Sequence, residues 1–453
     1  MANLESADKS SQRWFLQLSD IHFRKVKADD YDPYDLDADL RDQLELDVQR
    51  VREHIGVAFY GIILSGDAAF AGRGPEFDDA LVWLRKLSGL CRCEPENVYC
   101  VPGNHDVDRL IYEKSVNLRN LHNTLRPAQP ENVDAILGEA LRDSEAAQGL
   151  FRPLEQYNRF AARFSCTTTP DALVWEHRVR LNDGSMLVLR GANSALVSDS
   201  GDDNKTRRLI LGSHQATARE RPEEVVVFVC HHPLDWLLDY DQLTPILNGR
   251  SRVQLFGHKH RQIINETDGC LRIVAGAIHP DRREPNWRPR YNCLGFSVLG
   301  SGNERRLIVD IYPRVWSNDQ PKFVADYERC EGRQNCQYSL KLPEWKATVE
   351  AETPAAAVSE LPVAKTLPTT GVVHMDPGRT LTYRFLSLPH IVRLEIAQQM
   401  ALMREEDEGI LDAKLFERIL ARASNGNRLA ELWDLVEARH DDKSPTNPYA
   451  QRT

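Results

Sequence analysis

Short apolar runs punctuate the N-terminal part of the chain: Trp14–Leu18, Gly61–Leu64, Val98–Val101, Val225–Val229 and Val253–Phe256. Their length, their β-branched and aromatic content and their polar or glycine boundaries predict buried strands. Pro75–Leu90 carries Phe77, Leu81, Leu84 and Leu87 at helical spacing, so a strand–helix–strand unit is expected there. The stretch from about 110 to 172 reads as mostly helical and lengthens the path to the next strand. Trp175–Leu181 and Met186–Arg190 flank Asn182-Asp183-Gly184, and Asp-Gly supplies the positive backbone angles of a tight hairpin turn. Further strands are expected at Leu271–Ala275, Gly295–Leu299 and Leu307–Tyr312.

From Leu342 the pattern changes. Residues 346–370 are rich in Ala, Pro, Thr and Val and lack periodicity, which is a linker composition. Beyond it, apolar stripes at Phe416, Ile419, Leu420, Ala423 and at Leu429, Leu432, Trp433, Val436 predict helices, separated by Asn425-Gly426. Pro389–Leu402 supplies another. The expected organisation is an α/β domain over 12–318, an extension and linker over 319–379, and a helical bundle over 380–442.

The strand ends carry the chemistry. Asp20-x-His22, Gly66-Asp67, Gly103-Asn104-His105-Asp106, His231-His232 and Gly257-His258-x-His260 each follow one apolar run. Ligand sites in open α/β sheets lie at such a rim. Residues two apart in extended chain point to the same side, so Asp20 with His22, and His258 with His260, can each converge. Imidazole, carboxylate and amide oxygen without thiolate suit divalent Mn, Fe or Zn. One ion would take Asp20, His22, Asp67 and His260; a second would take Asp67, Asn104, His231 and His258. His105, adjacent to a ligand, is the expected general acid, held by Asp106. Two such ions point to hydrolysis at phosphorus.

Composition narrows the partners. The 453 residues are 42% hydrophobic and 27% charged, as in ordinary globular proteins, and the net charge of −10 argues against nucleic-acid binding through bulk positive charge. No secretory leader and no membrane span are expected, and the nine cysteines read as reduced structural fillers, which together suggest the cytoplasm. Arg109 is a candidate phosphate ligand or a partner of Asp108, and Asn193 a candidate lining residue or a turn former. Arg282, Arg283, Trp287, Arg288 and Arg290 form a basic, aromatic loop open to a solvated or a base-stacking reading.

The motifs SDIH, SGDAAF, VPGNHDVDR, VCHHP and FGHKH resemble those of the calcineurin-like metallophosphoesterase superfamily across residues 12–316. The resemblance implies an αββα sandwich with a dinuclear metal centre, His105 as the catalytic histidine, and His231 rather than His232 as the ligand. Ala68 and Ala69 depart from the family's usual residues after Gly-Asp without touching a ligand. The C-terminal stripe LPHIVRLEIAQQMALMREEDEGILDAKLFERILARA resembles small effector-associated, death-like adaptor domains of bacterial conflict systems. That implies a protein partner and a defence or signalling role. The expected function is a phosphodiesterase acting on nucleotides or nucleic acid. A catalytically idle scaffold and a phosphoprotein phosphatase are the alternatives.

Overall fold

The computed structural model describes residues 9–24, 36–202, 205–279, 288–346, 376–407, 410, 412–442 and 446–450. Its strands begin with β1 (Arg13–Leu18), β2 (Gly61–Leu64), β3 (Val98–Cys100), β4 (Val174–Arg180), β5 (Met186–Ala192), β6 (Glu224–Val229) and β7 (Val253–Phe256). They continue with β8 (Ile263–Thr267), β9 (Cys270–Val274), β10 (Arg290–Leu299), β11 (Arg306–Ser317), β12 (Lys322–Ala325) and β13 (Cys336–Lys341). Helices α1 (Leu36–Ile55) and α2 (Gly74–Cys91) follow the first two strands. The expected helical insertion comprises α3 (Arg109–Lys114), α4 (Val116–Leu125), α5 (Val133–Arg142), α6 (Ser144–Phe151) and α7 (Glu155–Ala161). Two more, α8 (Ser213–Ala216) and α9 (Tyr240–Arg250), lie between later strands.

The strands form two mixed sheets. One has the order β12-β11-β10-β1-β2-β3, with β13 also on β11; the other runs β4-β5-β6-β7-β9-β8. Side chains from both, among them Phe15, Leu16, Ile62, Leu187, Val227 and Leu255, belong to one buried cluster. Helices flank the sheets, giving the expected αββα sandwich. Within it β1, β2 and β3 are parallel, as are β5, β6, β7 and β9. Parallel strands release their C-terminal loops along one edge, so the sheets deliver the motif loops together. The loops then lace to one another: Asp20 N–H donates to Gly66 O at 3.1 Å, and Gly257 N–H to His231 O at 2.9 Å.

Two expectations change. The α/β domain does not end at 318, because β12 and β13 pair antiparallel with β11. Neither strand is apolar enough to stand out; β12 has four residues, and β13 buries only Cys336 and Leu340. Nor are all nine cysteines reduced. Cys330 and Cys336 are joined in a disulfide where the chain turns back between those strands, their Cα atoms 5.2 Å apart. The other seven are free and buried.

The C-terminal bundle comprises α10 (Pro377–Ser387), α11 (His390–Gln399), α12 (Asp412–Asn425) and α13 (Leu429–Glu437). It has its own core, centred on Phe385, Ile396, Phe416, Ile419, Leu432 and Trp433. Helix α10 lies against the α/β domain. The Arg379 guanidinium donates to the carbonyls of Glu96 and Val98 and sits 4.6 Å over the Tyr99 ring. The Tyr383 and Phe164 rings are 6.1 Å apart, and Lys414 pairs with Asp171 at 3.2 Å. Residues 347–370 of the expected linker lie outside the described residues.

Helix α1 is fixed to the first sheet by a buried ion pair. The Asp47 carboxylate, 1% exposed, accepts two bonds of 2.8 Å from Arg314 and one of 2.7 Å from the Tyr291 hydroxyl. Removing one partner leaves the other charge uncompensated away from water. Asp47→Ala is therefore expected to cost about 3–5 kcal/mol in urea denaturation; a loss below about 1 kcal/mol would show that Arg314 finds solvent instead.

Candidate metal centre

Each motif sits where a strand gives way to a sharp reversal. Asp20, His22, Asp67 and His258 have φ of +54°, +54°, +56° and +66°. Residues with a Cβ adopt this left-handed region at a cost, and such strain gathers at functional sites. Here it turns the side chains back over the strand ends. Two glycines allow the close approach. A Cβ on Gly103 would collide with the Asp67 carboxylate, and one on Gly66 with the His231 ring.

The side chains converge into overlapping groups. Donor atoms of Asp20, His22 and His260 all lie within 4.8 Å of one another, as do those of Asp20, Asp67 and His231. His231 Nε2 is 3.2 Å from Asp67 Oδ2, 3.2 Å from Asn104 Oδ1 and 3.3 Å from His258 Nδ1. His22 Nε2 is 3.9 Å from a carboxylate oxygen of both Asp20 and Asp67. All seven expected ligands are thus neighbours, with Asp67 between the two sets. His231 Nδ1 faces the Ser65 carbonyl at 2.8 Å, which turns Nε2 inward, whereas His232 Nδ1 meets Ser194 Oγ at 2.8 Å.

The donor set fits divalent cations. Asp20 Oδ1 and His22 Nδ1 are buried without a hydrogen-bond partner, a costly arrangement. Burial lowers the affinity of His22 and His258 for protons well below the usual histidine range, leaving neutral rings with lone pairs. Burial pushes the Asp20 carboxyl up. For Asp67 burial acts the same way, but His231 and His105 outweigh it and hold the carboxylate well below its ordinary range. Burial opposes a proton on His231, yet Asp67 and Asp20 raise it to about 9. A metal ion would supply the positive charge that these carboxylates otherwise draw from a protonated ring.

His105 lies beside this cluster. Its amide N–H donates to Asp67 Oδ1 at 2.8 Å, and its Nδ1 meets the Phe70 carbonyl at 2.8 Å. A carbonyl only accepts, so Nδ1 carries the hydrogen and Nε2 is left for chemistry. Asp106 does not hold His105, contrary to expectation. Its carboxylate is fully buried and accepts from the amides of Asp67 and Ala69 at 2.8 Å and Gly103 at 2.9 Å. It laces the second and third motif loops together.

Arg109 opens α3 and donates to the Asn104 carbonyl at 3.4 Å, beside the cluster, while Asp108 caps the same helix. Asn193 is not available to a ligand. It is fully buried, donating to Thr168 Oγ1 at 3.0 Å and accepting from Ala195 N–H at 2.9 Å. Arg282, Arg283 and Trp287 of the basic loop lie outside the described residues, and Arg290 pairs with Asp326. Sequence reading missed Ser65, Phe70 and Ser194, whose parts follow from contacts that no local pattern announces. It also missed Trp236, whose ring centroid is 4.0 Å from that of His258.

A sandwich whose strand ends gather carboxylates, imidazoles and an amide around a cation-fitting centre is the architecture of a metallohydrolase. A family model for calcineurin-like phosphoesterases matches residues 13–262, and the chain belongs to that family. It is accordingly a metal-dependent phosphoester hydrolase. A second model, for the GTPase-associated adaptor domain, matches residues 378–438 and defines the class of the C-terminal bundle. Among solved structures, a dimetal phosphatase from Danio rerio is similar at 12% identity, covering 69% of this chain and 98% of that one, with a TM-score of 0.35. GAP50 of Plasmodium is similar at 10% identity, 79% and 100% coverage and a TM-score of 0.36. No curated protein matches the chain. Among the described residues no helix is long and apolar enough to cross a membrane.

Gly103→Ala is expected to displace the Asp67 carboxylate and weaken metal affinity at least tenfold, by about 1.4 kcal/mol or more. Metal titration of purified protein checks this. Unaltered affinity would mean that Asp67 can move aside and still ligate.

Proposed function

We propose that this protein is a phosphodiesterase that uses two divalent cations, of the Mn, Fe or Zn type, to hydrolyse nucleotides or nucleic acid. Asp20, His22, Asp67 and His260 would hold one cation, and Asp67, Asn104, His231 and His258 the other. Such a pair supplies an activated water and neutralises the phosphoryl oxygens. The observation that carries the reading is the placement of His105. Its ring is fixed through Nδ1 by the Phe70 carbonyl, 4.5 Å from the His22 ring, with Nε2 left to deliver a proton to the leaving oxygen. Asp106 keeps that geometry by clamping the loops on either side. Arg109 stands close enough to bind a phosphoryl oxygen.

The net charge of −10 favours a small nucleotide over a long polyanion. The adaptor-class bundle is the docking element for a protein partner, in a bacterial defence or signalling pathway. Seven unbridged, buried cysteines favour the cytoplasm, with Cys330–Cys336 the exception.

With Mn supplied, the protein is expected to turn over bis-aryl phosphate esters; turnover of mono-aryl esters alone would exclude a diesterase. His105→Ala is expected to keep its metal and lose about 10²–10⁴-fold in kcat. Elemental analysis beside the assay decides the role, since joint loss of metal and activity would make His105 a ligand.

A further inference from the structure

The rim of the centre carries an aromatic side chain with no task in the hydrolytic scheme. Phe70 holds His105 through its backbone carbonyl, yet its ring is 37% exposed. That ring lies 5.2 Å from the His105 ring and 6.1 Å from the His22 ring. The guanidinium of Arg24, itself exposed, is laid over it at 3.8 Å. An exposed Phe alone is ordinary. A guanidinium placed 3.8 Å over a ring is less so, because a planar cation already lodged there loses little freedom when a second flat group stacks on it. Trp236, by contrast, packs edge-on against the His258 ring and serves to fix it.

Position gives the pair its meaning. His105 is the group that protonates the departing oxygen, so whatever leaves with that oxygen starts beside His105. The Phe70 ring, 5.2 Å from the His105 ring and covered by the Arg24 guanidinium, borders that position. Arginine planes and aromatic rings are the protein groups on which bases stack. We propose that Arg24 and Phe70 form a stacking platform for the leaving group, so that the substrate is a diester whose departing alcohol bears a flat aromatic ring, as a nucleoside does. This rests on the phosphodiesterase reading and specifies which side of the phosphorus is recognised.

The test uses the full-length, Mn-loaded protein and two methyl phosphate diesters. One has phenol as its leaving group; the other has a fluorinated alkyl alcohol of matched acidity. The wild-type protein is expected to prefer the phenyl ester in kcat/KM. Arg24→Ala and Phe70→Leu should each reduce that preference at least about fivefold, the lower end of what one stacked ring contributes. Arg24→Lys, which keeps the charge and loses the plane, should not restore it. Metal content is measured for every variant, because the Phe70 backbone also positions His105; Arg24 stands clear of that contact and remains decisive if Phe70→Leu misfolds. An unchanged preference in Arg24→Ala, or full rescue by Arg24→Lys, overturns the platform and leaves the phosphodiesterase reading standing. Absence of turnover of either ester by the wild-type protein defeats both.

Discussion

Two carboxylates buried side by side set the terms for this protein. Asp20 and Asp67 are 0% and 1% exposed, and their oxygens fall within 4.8 Å of each other and of His231. Like charges that close, away from water, repel strongly unless the surroundings answer them. The answer is assembled from every side. His258 N–H donates to Asp20 Oδ2 at 3.1 Å, His105 N–H to Asp67 Oδ1 at 2.8 Å, and four imidazoles stand around the pair. A cation-binding centre is what remains when such charges are kept rather than neutralised.

Keeping them has a backbone cost. Four of the seven candidate ligands sit at positive φ, each a departure of about 1–3 kcal/mol for a residue with a Cβ. The sandwich can hold that strain because each loop leaves the end of a parallel strand and is tied to its neighbours. Asp106 is central to this. A buried carboxylate that accepts three backbone amides from two separate loops makes their relative position rigid, so His105 and Asp67 keep their spacing.

The bundle is joined to this framework at a telling place. Helix α10 grips the carbonyls of Glu96 and Val98, at the entry to β3. The other end of β3 runs into Gly103, Asn104 and His105. The adaptor-class domain and His105, the proposed general acid, are therefore attached to opposite ends of one short, fully buried strand.

What the sequence determined by itself is local. An apolar run that ends in a polar residue places a side chain at the end of a strand, and this holds at Asp20, Asp67, Asn104, His231 and His258, with Gly just before the second, third and fifth of them. Three of the bundle's helices, α11, α12 and α13, were legible because their apolar positions repeat along one face, whereas α10 begins within the expected linker and was not among them. Tertiary structure decided whatever depends on a distant partner. Asp106 turned from a brace for His105 into a clamp because its amides come from 37 and 39 residues away as well as from Gly103. Asn193 is held by Thr168, β12 and β13 pair with β11, and Cys330 meets Cys336 where that edge turns back. Periodicity registers which face of an element is buried; it carries no information about which other element lies against it.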